Sequence, residues 1–113
     1  MSQYATIEDV KDAYSRNGGG HFFEPGTMRF FRSRLSQDAI ESDNGSDFVF
    51  VTSEQRSTWL HTEPRLYTVR HLHIPAEGSA DIRTVGEFQE HGTRYLAWKA
   101  AKAEMLRIES GAS

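Results

Sequence analysis

Residues 48–52, Phe48-Val49-Phe50-Val51-Thr52, are aromatic or β-branched throughout and apolar at every position but the last. Alternating apolar and polar residues mark a strand with one wet face. The lack of alternation here predicts a strand buried on both faces, and therefore a central one.

Toward the C-terminus, Arg65-Leu66-Tyr67-Thr68-Val69-Arg70-His71-Leu72-His73-Ile74 is also strand-like, with Tyr67 and Val69 on one face and Thr68 and Arg70 on the other. Pro75-Ala76-Glu77-Gly78-Ser79 makes a hairpin loop, and Asp81 to Gln89 returns as the third strand. Gly92-Thr93 ends that run, and Thr93 caps a last helix from Arg94 to about Ile108. Its Leu96, Ala97, Ala100, Ala101 and Ile108 form a broad face, and small alanines allow close approach to a sheet.

Toward the N-terminus, residues 36–47 (SQDAIESDNGSD) are polar and acidic. They lack the acid spacing of a calcium loop and are expected to be a solvated connection. Residues 21–31, HFFEPGTMRFF, pose a choice between a ligand-binding aromatic box and a helix driven into a core. Pro25 suits a helical first turn, where its missing N–H has no acceptor to lose. The helix is expected to start there, with Met28, Phe31 and Leu35 as one buried stripe and Phe22 or Phe23 folded back as a staple. Gly18-Gly19-Gly20 is a hinge; it has neither the preceding strand nor the lysine of a phosphate-cradling loop. Before it, Thr6 and Asp9 form a capping box, and Ile7, Val10 and Tyr14 recur at helical spacing.

The expected order is α-α-β-β-β-α, an α+β fold whose three-stranded antiparallel sheet packs against helices on one side. One domain spans 1–113, with an ordered core at about 6–108.

Seven Phe, four Tyr and two Trp predict an aromatic core. A formal charge of −3 disfavours whole-molecule attraction to phosphate, so a nucleic-acid site would have to be a local patch. The absence of cysteine excludes disulfides, thiolate nucleophiles and cysteine-ligated zinc, and suits a reducing compartment. With no signal-like start and no apolar run near the roughly 18 residues of a membrane span, a soluble, cytoplasmic chain is expected.

His71-x-His73 places two imidazoles on one strand face, a spacing that can share a metal ion. A third ligand is the difficulty: His91, past the neighbouring strand, would have to swing in. No metal or cofactor is therefore expected, and no nucleophile elbow or helical HExxH motif argues for catalysis. The expected protein-binding surface is the exposed sheet side with Arg70, His71, His73 and Arg83, plus Trp59 and His61 from the loop before the second strand. The alternative is a nucleic-acid patch of Arg29 and Arg32 with Tyr95, Trp98, Lys99 and Lys102, whose element order is shared with double-stranded-RNA-binding domains. A small hydrolase or metal-dependent enzyme is the second alternative.

Four segments in order carry a resemblance: residues 21–31 above, Val51-Thr52-Ser53-Glu54-Gln55, Pro64-Arg65-Leu66-Tyr67-Thr68-Val69-Arg70, and Thr84-Val85-Gly86-Glu87-Phe88-Gln89. Over about residues 6 to 100 the chain resembles a family of small proteins of unknown function carried by bacteriophages and other mobile elements. The resemblance brings no catalytic residue. It implies stoichiometric binding to a host or phage protein, in host takeover or anti-defence, within the host cytoplasm.

Overall fold

The computed structural model describes residues 2–30, 33–54 and 65–111, with backbone alone at 29 and 30. Among them, the chain order is β1 (Gln3–Thr6), α1 (Ile7–Arg16), α2 (Pro25–Phe30), β2 (Arg34–Glu41), β3 (Asp47–Glu54), β4 (Leu66–His73), β5 (Asp81–Val85) and α3 (Arg94–Glu109). The strands form one antiparallel sheet in the spatial order β1-β2-β3-β4-β5.

The fold is therefore α+β, but the sheet has five strands where three were expected. Both additions have weak local signals. Four-residue β1 becomes a strand by pairing Gln3 to Glu41 through Thr6 to Asp38. In β2, whose only apolar residues are Leu35, Ala39 and Ile40, the register with β3 shifts between Leu35 and Ala39, which breaks the two-residue alternation. The stretch expected to be a solvated loop is thus largely a strand, and the expected helix stripe stops short. α2 ends at Phe30, Leu35 sits in β2, and Phe31 lies outside the described residues.

β3 is the centre, as its composition predicts, and every one of its residues is buried. Phe48 and Phe50 face one side, in a cluster with Ala5, Ile7, Val10, Tyr14, Ala39 and Leu72 beneath α1. Val49 and Val51 face the other, with Val69, Ala97, Ala101 and Met105 beneath α3. Helices therefore cover both faces, because a strand apolar on both sides needs a partner on each.

Both predicted helix caps form. Thr6 Oγ1 accepts from Asp9 N at 3.3 Å while Asp9 Oδ2 accepts from Thr6 N at 2.8 Å. Thr93 Oγ1 accepts from Leu96 N at 3.1 Å. Phe22 and Phe23 lie against Phe50, with ring centroids 6.1 and 5.9 Å away, and Phe23 meets Tyr14 edge-on at 5.4 Å. The aromatic stretch is a lid on the core around Phe50.

The glycine run has a packing role. A Cβ on Gly19 would lie 2.5 Å from the Tyr14 ring, whose hydroxyl accepts from Gly20 N at 2.9 Å. Gly19→Ala is expected to cost about 1 to 3 kcal/mol by pushing that ring out of its place, whereas Gly26→Ala, with open space at its Cβ, should be neutral or stabilising in urea unfolding.

Candidate functional site

Strand register decides which candidate residues meet. Val49 pairs with His71 and Asp47 with His73 in the β3/β4 ladder, and His71 pairs with Arg83 in the β4/β5 ladder. Directly opposed residues share a face, so Asp47, His71, His73 and Arg83 lie together on the α3 side. Arg70 lies on the opposite side with Phe50 and Thr84. The grouping expected for the binding surface is thus split by the sheet.

The α3-side cluster is a connected chain of polar contacts. His71 Nε2 is 2.7 Å and His73 Nδ1 2.8 Å from the same Asp47 Oδ1. Arg83 Nε donates to His71 Nδ1 at 3.2 Å, so the proton of neutral His71 sits on Nε2 and is donated to Asp47. Ser46 Oγ lies 3.2 Å from Asp47 Oδ2 and 2.8 Å from Asn44 Oδ1, the nearer acceptor for its one proton. Burial by itself would raise the Asp47 pKa, but hydrogen bonds from His73 and His71 outweigh it and hold the carboxyl below its ordinary value. Burial pushes the His71 pKa down, against the opposing pull of Asp47. The His71 side chain is only 3% exposed, while that of His73 is 52% exposed and opens the cluster to solvent. His91 is not part of it. It pairs with Tyr67, six residues along β4 from His73, or about 20 Å at strand spacing.

Arg70 is held inside its own network. Nε donates to Thr52 Oγ1 at 3.1 Å, another guanidinium N–H donates to Thr84 Oγ1 at 2.7 Å, and Glu54 Oε2 lies 3.6 Å away. Phe22 and Phe88 each place a ring centroid 5.5 Å from the guanidinium carbon, a cation–π contact from two rings. Glu54, fully buried, also accepts from Thr68 and Ser33 at 2.9 and 3.2 Å. Burial lowers the Arg70 pKa and Glu54 opposes that shift. A cleft of about 200 Å³ opens beside this pair, lined by Phe22, Thr27, Met28, Ser33, Arg70 and Phe88.

A third feature lies on the outside. α3 packs on β3 and β4, so the same face of β1 and β2 extends beyond it. Between them runs an open groove of about 500 Å³ lined by Tyr4, Asp38, Ile40, Trp98 and Lys102, among others. Tyr4 is 70% exposed, and its hydroxyl donates to Asp38 at 2.8 Å. That hydrogen bond, ahead of burial and the Asp38 charge, raises the Tyr4 pKa. A second groove of about 470 Å³ lies between the β2–β3 turn and the α3 end, where Leu106 is 68% exposed.

Of the nucleic-acid candidates, Trp98 is half-buried at the first groove, with Tyr95, Lys99 and Lys102 exposed along α3. Arg29 lies in α2 with no described side chain, and Arg32, Trp59 and His61 fall outside the described residues. Sequence reasoning missed Asp47, Glu54 and Tyr4. Asp47 falls in the stretch expected to be a solvated loop, and its pairing with His73 is a register fact that no local pattern contains.

Comparison with protein-family models matches residues 6–102 to a family of unknown function, DUF7447. No curated protein and no solved structure matches the chain.

Proposed function

Since the chain belongs to DUF7447, a family of unknown function, we propose its role from the geometry: a non-catalytic domain that binds an extended segment of a partner protein. The segment adds to the edge of β1 and lays side chains into the groove beside α3. The observation that carries this reading is the character of that edge. Among the described residues β1 pairs with β2 alone, and its four residues are uncharged. The opposite edge, β5, carries exposed Asp81 and Arg83. Charges are a common guard against strand addition, so an uncharged edge beside an apolar groove is the one suited to receive a strand. The Arg70–Glu54 network on the other sheet face is, by contrast, occupied with its own hydrogen bonds. Resemblance to bacteriophage and mobile-element proteins makes a host or phage protein the partner class.

The test is selection from a random peptide library against the purified protein. Enriched peptides are expected to alternate apolar and polar residues, and Tyr4→Asp, an exposed change, should weaken their binding about tenfold or more. Peptides that bind Tyr4→Asp as well as the wild type would refute the assignment. Exposed Tyr95, Lys99 and Lys102 favour the second reading, nucleic-acid binding. That reading instead requires gel shifts that weaken steeply with salt and vanish in Lys99→Glu/Lys102→Glu.

A further inference from the structure

We propose that Asp47, His71 and His73 form a binding site for one divalent cation of the zinc class, with a fourth coordination position open to solvent. Two adjacent strands bring three ligand atoms together, all within 4.8 Å of one another. One carboxylate and two imidazoles suit Zn²⁺ or Co²⁺ better than Ca²⁺ or Mg²⁺, which prefer all-oxygen shells. Three protein ligands with an open fourth position is the arrangement that leaves room for water or an exogenous ligand.

The ligand atoms are already within reach of one ion. Metal–ligand bonds of about 2.0 to 2.2 Å at tetrahedral angles separate ligand atoms by roughly 3.3 to 3.6 Å. The two imidazole nitrogens lie 2.7 and 2.8 Å from the Asp47 oxygen and within 4.8 Å of each other, so an ion must part each nitrogen from that oxygen by less than an ångström and bring the two nitrogens to the same spacing. Half-exposed His73 has the freedom to do so.

Arg83 acts against the ion. A metal on His71 Nε2 moves that ring's proton to Nδ1, where Arg83 now donates. Metal uptake therefore requires Arg83, exposed on edge strand β5, to turn away, and Arg83 sets the affinity of the site.

The experiment uses untagged protein titrated with Co²⁺ and with Zn²⁺, followed by absorption and by melting temperature. One ion per chain is expected, with a rise of roughly 10 °C once free ion exceeds its dissociation constant about a hundredfold. His73→Ala should abolish both signals, its ion-free melting temperature serving as the reference from which any rise is read. Arg83→Met should bind more tightly than the wild type. The absence of saturable uptake by the wild type would overturn the proposal and leave the cluster as a hydrogen-bond network. Uptake retained in both His73→Ala and Asp47→Asn would overturn it equally, by placing the ion elsewhere.

Discussion

Arg70→Met is expected to destabilise the domain by about 3 to 5 kcal/mol, the usual result of removing one member of a buried ion pair. Glu54 is fully buried, and without the guanidinium its charge is left with the hydroxyl donors of Thr68 and Ser33. The change also removes the cation between Phe22 and Phe88 and leaves Thr52 and Thr84 without their donor. For a domain of this size the melting temperature should fall by roughly 12 to 20 °C. Glu54→Gln in the same chain should recover part of the loss, because a neutral amide needs no counter-charge there. Urea unfolding of the two single variants and the double variant measures the coupling directly. A loss below about 1 kcal/mol in Arg70→Met would show that solvent reaches the pair and that Arg70 is available to a ligand in the adjoining cleft.

The second large effect concerns Phe50. Phe50→Ala is expected to cost about 3 to 5 kcal/mol, since the ring is fully buried and meets Phe22 and Phe23 on one side of the sheet. Phe22→Ala should cost less, because that ring is half-buried at the rim of a cleft. The comparison separates two roles for the aromatic residues. Rings that fill a core carry stability, whereas rings that line a ligand site can be truncated with little effect on melting. A Phe50→Ala protein that melts within a few degrees of the wild type would favour the ligand site.

Both variants act on residues whose role was only partly legible along the chain. The continuous apolar run at Phe48–Val51 announced a central strand, since no other environment accepts large apolar groups on both faces. Arg70, by contrast, reads as a polar residue of an alternating strand, and alternation normally means exposure. The sheet buries it because Glu54 and two threonines on neighbouring strands supply partners, and those neighbours are non-local. His71 and His73 were visible as a same-face pair, but the carboxylate that completes their cluster comes from the first residue of a different strand. The edge strand β1 left almost no trace, because Gln3-Tyr4-Ala5-Thr6 gains its conformation from β2 and not from its own preferences.

Local physics is short-ranged, and it was enough for the caps at Thr6 and Thr93, the helix start at Pro25, the hairpin loop after β4 and the aromatic core. Those features depend on spacing within a few residues, which the order of amino acids contains. Strand number, the placing of helices on both sides of the sheet where one side was expected, the division of Arg70 from the histidines and the meeting of Asp47 with them were decided by tertiary structure. Each depends on pairing between strands, and a shift of one residue in such a pairing would turn every side chain of a strand to the opposite face.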